Sequence, residues 1–372
     1  MSVSFRKKGK KWYYSIRDKA GKTIEARGFK TKREAQIEGN ARDKLLFKGV
    51  DLANDSSLYD LWKVWYETIV LPQKKSESTL YKHRLRGKYM KQYFGDQVAS
   101  TIRFSQYQRV LTKLGDTQSK NNVQRFNSEV RKVIQFARRD KIAIDDFTDG
   151  VVIASSKVTK KVSDKFINNL SDYLRLQQAV KARLSERYVV SDYVIFVALK
   201  TGLRTGENLG LTWDCIDFER KVIKTYRRYD TSKKCFTPPK TETSVREIPI
   251  DDETCFVLKQ LQHLQERTLK GAEVSNPENF VYYSSTYGVP TSANVNKMLR
   301  YLLEKEDIQP RQLTLTGLRH SYASYLLANE IDIWVVSNVM GHKDIEQVTK
   351  TYGHLLEEKK DREYELIRHK LS

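Results

Sequence analysis

Residues 151–165 read VVIASSKVTKKVSDK, a mixture of small, polar and basic side chains that looks like an extended linker. A chain interrupted in this way does not share one core, and at 372 residues it is long enough for two or three domains. Charge falls unevenly along it. Residues 1–50 carry 15 basic and 5 acidic side chains, a net +10, and residues 51–160 carry 20 and 12, a net +8. The remaining 212 residues hold 32 and 29, only +3 of the total +21. A basic first part joined to a nearly neutral second part suggests a region that grips a polyanion attached to something else. On charge alone a solubility device, a ribosomal contact or a membrane-surface contact stays open.

At 39% hydrophobic and 30% charged residues the composition is that of a soluble globular protein. Cys215, Cys235 and Cys255 fit no zinc spacing and cannot form a complete disulfide set, which points to a reducing compartment. The opening MSVSFRKKGKKWYY lacks the apolar core of a signal peptide, and no apolar run is long enough to span a membrane. A cytoplasmic, nucleoid-associated protein is expected. No phosphate-binding glycine loop, H-E-x-x-H pair or EF-hand loop is present, so neither nucleotide nor metal is expected as a cofactor.

Patterning assigns the parts. Val3–Arg6, Lys11–Arg17 and Thr23–Phe29 alternate as short strands around a turn at Asp18–Lys22. Thr31 is placed to cap a helix running to about Lys48, with Ala35, Ile37, Ala41, Leu45 and Leu46 as its buried positions. Residues 1–50 therefore read as a three-stranded sheet on one helix. Lys7, Lys11, Tyr13, Arg17 and Arg27 are its candidate DNA contacts, a basic and aromatic mixture that suits a β-ribbon in a groove. Residues 55–150 read as a four-helix domain. Leu58, Leu61, Trp62, Trp65, Tyr66 and Ile69 keep helical spacing up to Pro72, and helices follow at 77–94, 105–114 and 119–139. Trp62 and Trp65 are expected in its core; Lys82, Arg86, Lys120, Arg131, Arg138 and Arg139 are expected on DNA phosphates, where they position rather than read sequence. Residues 166–372 read as mainly helical, with helices at about 168–184, 186–200, 252–268, 291–305, 316–329, 331–340 and 356–370. A small antiparallel sheet is formed there by Val222–Arg228 and Val245–Ile250 about a basic hairpin, Asp230–Thr241. The fold class is multi-domain α+β.

Four separated motifs in this last domain carry chemistry. Thr201-Gly202-Leu203-Arg204-Thr205-Gly206-Glu207 sets an arginine on a turn, with a carboxylate three residues on to brace it. Pro239-Lys240-Thr241 offers a hairpin lysine. Leu318-Arg319-His320-Ser321-Tyr322 offers a second arginine at a helix start. Met340-Gly341-His342 is followed by Tyr352, ten residues after the histidine.

In this order the motifs resemble the tyrosine recombinase (phage integrase) family, in particular integrases of temperate phages and integrative conjugative elements. The resemblance is carried by residues in the catalytic domain and by architecture elsewhere. It implies a SAM-like core-site binding domain at 55–150 and an arm-site binding domain at 1–50. Tyr352 would be the nucleophile that attacks a scissile phosphate and forms a 3′-phosphotyrosine. A phenol normally ionises near pH 10, so it needs help losing its proton. Arg204 and Arg319 would clamp the non-bridging oxygens with planar guanidinium forks. Lys240 would protonate the leaving 5′-oxygen, His342 would hydrogen-bond a phosphate oxygen, and Glu207 would orient Arg204. Implied partners are double-stranded DNA at core and arm sites, three further copies in a tetramer, and an excisionase or host DNA-bending protein.

One position departs from the pattern. The family histidine three residues before the second arginine is Thr316 here, which keeps a hydrogen-bond donor but loses the base. His320, next to Arg319 on the helix, points roughly 100° away from it and is not an obvious substitute. A natural, active variant is expected. The alternatives are a DNA-binding protein of the same fold with impaired catalysis and a chromosome-dimer resolvase. The tail 355–372 docks on a neighbouring subunit in such a family, or else packs on its own domain.

Overall fold

Trp12, Tyr14 and Ile16 alternate with Lys11, Tyr13 and Ser15, and this period of two sorts the N-terminal sheet into two faces. The computed structural model describes residues 3–17, 23–25, 28–47, 56–157, 162–186, 188–346, 348–349, 364, 368 and 371, with backbone only at 17, 23–25, 41–42, 44–47, 162–163 and 185–186. The turn at Asp18–Lys22, Arg27, Tyr352 and most of the helix expected at 356–370 lie outside these residues, as do the side chains of Arg17, Ala41, Leu45 and Leu46. The chain divides into two compact units, Met1–Thr159 and Lys160–Ser372.

In the first unit β1 (Val3–Lys8), β2 (Lys11–Arg17) and β3 (Thr23–Glu25) form an antiparallel sheet in that order. Phe29 adds one bridge to Trp12. Register pairs Phe5 with Tyr14 and Val3 with Ile16, so these four share the face that packs with Phe29. Arg6 opposite Tyr13 and Lys8 opposite Lys11 lie on the other face, whereas Lys7 is paired with Trp12 and shares the apolar face. Helix α1 (Lys32–Phe47) begins with a reciprocal cap, the Glu34 amide donating to Thr31 Oγ1 and the Thr31 amide to the Glu34 carboxylate. Ala35 and Gly39 are buried while Ile37, expected inward, is 64% exposed. The reason is spacing: residues four apart face the sheet, and Ile37 lies halfway between them.

The helical part comprises α2 (Leu58–Trp65), α3 (Glu77–Phe94), α4 (Phe104–Thr117) and α5 (Lys120–Arg139). Trp62 and Trp65 are core residues, with Phe126, Val130 and Ile134. After Trp65 the helix widens to a π turn, Tyr66–Val70, before Pro72 ends it in a 3₁₀ turn. The wider turn advances the register by about one residue, so Val70 is buried and Ile69, expected on the buried stripe, is exposed. Glu129 is buried among these helices. It accepts from Trp62 Nε1 at 2.9 Å, from His83 Nδ1 at 2.8 Å and from Arg86 Nε, joining α2, α3 and α5.

The start of the expected linker is extended but held. Val152 exchanges two hydrogen bonds with the Gln108 side chain on α4, each at 2.9 Å, and the Ser156 amide donates to the Gly115 carbonyl. Val151 and Ile153 pack against the helical core, so alternate apolar residues seat a backbone that composition suggested was loose.

The second unit is built around α7 (Val190–Thr201), which follows α6 (Leu170–Glu186) and is buried along almost its whole length. A helix with apolar residues all round requires neighbours on every side, and α7 has α6, the short α8 (Thr205–Leu209), α9 (Asp252–Gly271), α10 (Ser292–Lys305) and α11 (Leu315–Ala328). Helix α12 (Ile333–Met340) packs on α11. The strand expected at 222–228 is divided. β5 (Val222–Thr225) sits between β4 (Ile216–Asp217) and β8 (Arg246–Pro249), while β6 (Arg228–Asp230) and β7 (Cys235–Thr237) form a separate hairpin. Tyr229 and Phe236 of that hairpin pack against Phe280, and Arg227 lies over the Phe236 ring at 3.9 Å. Cys215 and Cys255 are buried; Cys235 is exposed on β7. Among the described residues no helix is long and apolar enough to cross a membrane.

Replacing Glu129 by alanine strands its buried partners, and loss of one member of a buried ion pair costs about 3 kcal/mol or more. Urea unfolding followed by tryptophan fluorescence should show that loss, and an unchanged midpoint would mean that Glu129 does not hold these helices together.

Candidate active site

Two left-handed glycines set the site. Gly202 ends α7 at φ +59°, and a Cβ there would lie 2.3 Å from the Tyr322 ring on α11. Gly341 ends α12 at φ +60°, and a Cβ there would lie 2.6 Å from the Thr243 carbonyl oxygen. Both positions combine a backbone that disfavours side chains with an approach that excludes them. The first glycine releases the chain to place Arg204 at the start of α8, and the second places His342 immediately beyond α12.

Helix α12 ends with carbonyls that its own turns leave unpaired, and arginines take three in succession. Arg246 Nε donates to the Val339 carbonyl at 2.6 Å, Arg319 Nη2 to that of Met340, and Arg204 Nη2 to that of Gly341 at 2.7 Å. Arg319 also donates through Nη1 to the Gly202 carbonyl at 2.7 Å, linking both glycine turns. Its residue is 5% exposed, whereas the Arg204 side chain keeps 26% of its surface.

Glu207 braces Arg204, accepting from Nη1 at 2.8 Å and from the Arg204 amide at 3.1 Å. It also accepts from Arg246 Nη2 at 3.1 Å. Burial would raise its carboxyl, but the two guanidiniums, Arg246 first, outweigh burial and hold it below the ordinary range. Glu207 is thus an ionised buried carboxylate shared by two cations. Ser244 adds a hydroxyl 3.3 Å from Arg204 Nη1. Neither Arg246 nor Ser244 was singled out from sequence. The signal present was the run Ser244-Val245-Arg246 directly after the lysine motif, which placed a cation on a strand facing the core.

The other expected members are placed less centrally. Lys240 is exposed, three residues beyond β7 rather than within the hairpin. Thr316 is exposed on the first turn of α11. His342 is partly buried, its amide donating to the Ser337 carbonyl at 3.0 Å. His320, set aside from sequence, lies where burial first, then the charges of Arg319, His342 and Lys165, push its imidazole down to about 4. It is therefore neutral at physiological pH, and it belongs to the same electrostatic neighbourhood as His342. Tyr322, packed under Gly202, is pushed up to about 12 by burial, which unsuits it as a nucleophile.

Of the candidate DNA contacts, Lys11 and Tyr13 share a sheet face with Arg6 and Lys8, and Lys82, Lys120 and Arg139 are exposed. Arg86 is occupied by Glu129, Arg131 by the Thr148 hydroxyl and carbonyl, and Arg138 by the Ile144 carbonyl at 2.8 Å. Among the described residues no three His, Cys, Asp or Glu side chains gather as a metal site.

Residues 167–359 match the Phage integrase family, a span that contains Arg204, Glu207, Lys240, Arg246, Thr316, Arg319 and His342. The chain belongs to that family. It is an enzyme of the tyrosine recombinase type, which breaks and rejoins DNA. It is 25% identical to a XerC-like tyrosine recombinase of Caldanaerobacter subterraneus subsp. tengcongensis, with 98% of each chain aligned. It is 26% identical to the tyrosine recombinase XerD of Staphylococcus aureus over 75% of this chain and 88% of that one. Its fold is similar to that of the Tn1549 transposon integrase in complex with transposon right end DNA, with TM-score 0.65, 18% identity, and 80% and 94% of the two chains covered. It is also similar to a lambda integrase dimer bound to a COC′ core site, with TM-score 0.57, 17% identity, and 94% and 93% covered.

The low-lying His320 makes a signed prediction about stability. The unfolded histidine takes up its proton near 6.5 and the folded one near 4. Between these values the unfolded state binds more protons, so stability is lost as pH falls, by up to about 3 kcal/mol. Denaturant unfolding between pH 7 and 4 should show a shallower loss in His320→Gln than in the wild type; equal slopes would remove His320 as the cause.

Proposed function

We propose that this recombinase is the integrase of a mobile genetic element, joining and releasing DNA through a 3′-phosphotyrosine. The observation that carries the reading is the pair Arg204 and Arg319, fixed on adjacent carbonyls immediately before His342. Two guanidiniums held without solvent rearrangement are what a phosphoryl centre gaining negative charge needs. The Tn1549 integrase, a transposon protein, supports the mobile-element setting through its fold.

In the proposed reaction Tyr352 Oη gives its proton to solvent and forms a bond to phosphorus while the bond from phosphorus to the 5′-oxygen breaks. Lys240 gives the departing 5′-oxygen its proton. Arg204 and Arg319 hold the non-bridging oxygens, Glu207 orients Arg204, and His342 donates to a phosphate oxygen. Thr316, exposed beside Arg319, supplies a hydroxyl in place of the family imidazole. A 5′-hydroxyl from the second duplex then attacks phosphorus and frees Tyr352, so the phosphodiester bond is conserved.

Double-stranded DNA would be gripped at arm sites by the face carrying Arg6, Lys8, Lys11 and Tyr13, and at core sites through phosphate contacts from Lys82, Lys120 and Arg139. Arg17, Arg27, Lys7 and Arg138 complete the proposed contacts. A tetramer on two sites is the proposed assembly, in line with a lambda integrase tetramer bound to a Holliday junction. An excisionase or a host DNA-bending protein is the proposed partner, and the bacterial cytoplasm the proposed compartment. Chromosome-dimer resolution is the second reading. The XerC-like relative aligned over 98% of both chains supports that reading. Sequencing the junctions formed in cells distinguishes them.

A nicked suicide substrate carrying the core site should trap a covalent protein–DNA adduct that Tyr352→Phe abolishes; no adduct from the wild type would sink the enzyme reading. Thr316→His should change the rate of adduct formation by less than about tenfold, since one absent donor costs on the order of 10²–10³ only where nothing compensates. A gain of that larger size would show a handicapped site, and a loss would show that threonine is fitted to it.

A further inference from the structure

Arg246 has a different task from the other arginines of the cluster. Its side chain is 8% exposed, and its three nitrogens are all engaged. Nε donates to Val339, Nη2 to Glu207, and Nη1 to the Ser244 carbonyl at 3.2 Å and the Thr225 hydroxyl at 3.3 Å. Those bonds join β5, the turn before β8, α8 and the end of α12. Burial pulls the Arg246 guanidinium below its ordinary range, against the pull of Glu207. A buried ion pair of this kind is a weak source of stability, and apolar side chains often replace one without loss. Stability alone therefore does not account for an arginine here.

The groups it touches are those that hold the phosphate-binding set. Glu207 braces Arg204, and the Ser244 hydroxyl lies 3.3 Å from Arg204 Nη1. Thr243, adjacent to Ser244, donates its hydroxyl to the Gly341 carbonyl at 3.3 Å, the carbonyl that Arg204 also uses. We infer that Arg246 is a positioning residue for DNA cleavage, holding Arg204 and the segment entering His342 in one register through Glu207 and the last carbonyls of α12. The inference rests on the proposed roles of Arg204, Arg319 and His342.

It gives Arg246 an effect on pH dependence as well as on rate. The charges that act on Glu207 are Arg246 from β8 and Arg204 from the start of its own helix. With Arg246 gone, its pull no longer offsets burial and the carboxyl takes up a proton at higher pH than in the wild type, so Arg204 loses an ionised brace on the acid side.

The test is single-turnover adduct formation by the full chain on saturating suicide substrate from pH 5.5 to 8.5, with DNA affinity measured in parallel. Arg246→Gln should bind DNA like the wild type, cleave roughly 10²-fold more slowly, and lose rate on an acid limb absent from the wild type. Adding Glu207→Gln to that variant should remove the limb. Arg246→Lys keeps a charge beside Glu207 but cannot reach Val339 at the same time, so it should keep the wild-type pH profile at a reduced rate. It also reports if Arg246→Gln does not fold. A wild-type rate in Arg246→Lys or Arg246→Gln overturns the inference, as does a deficit matched by weakened DNA binding. Absence of an adduct from the wild type itself overturns the recombinase reading instead.

Discussion

Three guanidiniums on three successive carbonyls at the end of α12 are the interaction on which the candidate site depends. Without the arginines the carbonyls of Val339 and Met340 would lose these donors and that of Gly341 would keep the Thr243 hydroxyl, while Arg246, Arg319 and Arg204 would otherwise repel one another. Each group resolves the other's deficit. The partial negative charge of a helix C-terminus and the full charge of Glu207 together offset the crowded cations. The geometry is largely set by the fold itself, because Arg319, Arg246 and Glu207 are buried and their partners are mostly backbone.

That arrangement explains why two glycines bracket the site. Gly202 gives its carbonyl to Arg319 while turning the chain toward Arg204, and Gly341 gives its carbonyl to Arg204 while turning the chain toward His342. A side chain at either place would move a carbonyl as well as a turn. The arginines and the two turns are one mechanical object, assembled from segments separated by more than a hundred positions in sequence.

Much of this was legible from residue patterns, and the remainder has physical reasons for having been hidden. Helical spacing identified the core around Trp62, and Arg204 with Glu207 three residues later is a local pair whose contact follows from helix geometry. The π turn after Trp65 is hidden from spacing arguments, which assume a constant pitch and so assign Ile69 the buried place that Val70 occupies. The docking of residues 151–156 was hidden because it depends on Gln108, a polar side chain whose pairing with Val152 no composition rule reveals. Arg246 was hidden because a lone strand arginine ordinarily faces solvent. Only the folded chain shows that its partners are Glu207 and the end of a helix encoded some ninety residues later.

The cancellation at the end of α12 bears on how salt acts. A site whose cations are matched locally by a carboxylate and by carbonyl dipoles has a strong field at short range and a weak one beyond it. Residues 161–372 are likewise nearly neutral, at +3. Long-range attraction for a polyanion resides instead in the +18 of the first 160 residues, where counterion release makes binding steeply dependent on ionic strength. On the proposed reading, ions in solution tune how tightly the duplex is held, while a bond-breaking step among these paired charges is left largely insulated from them.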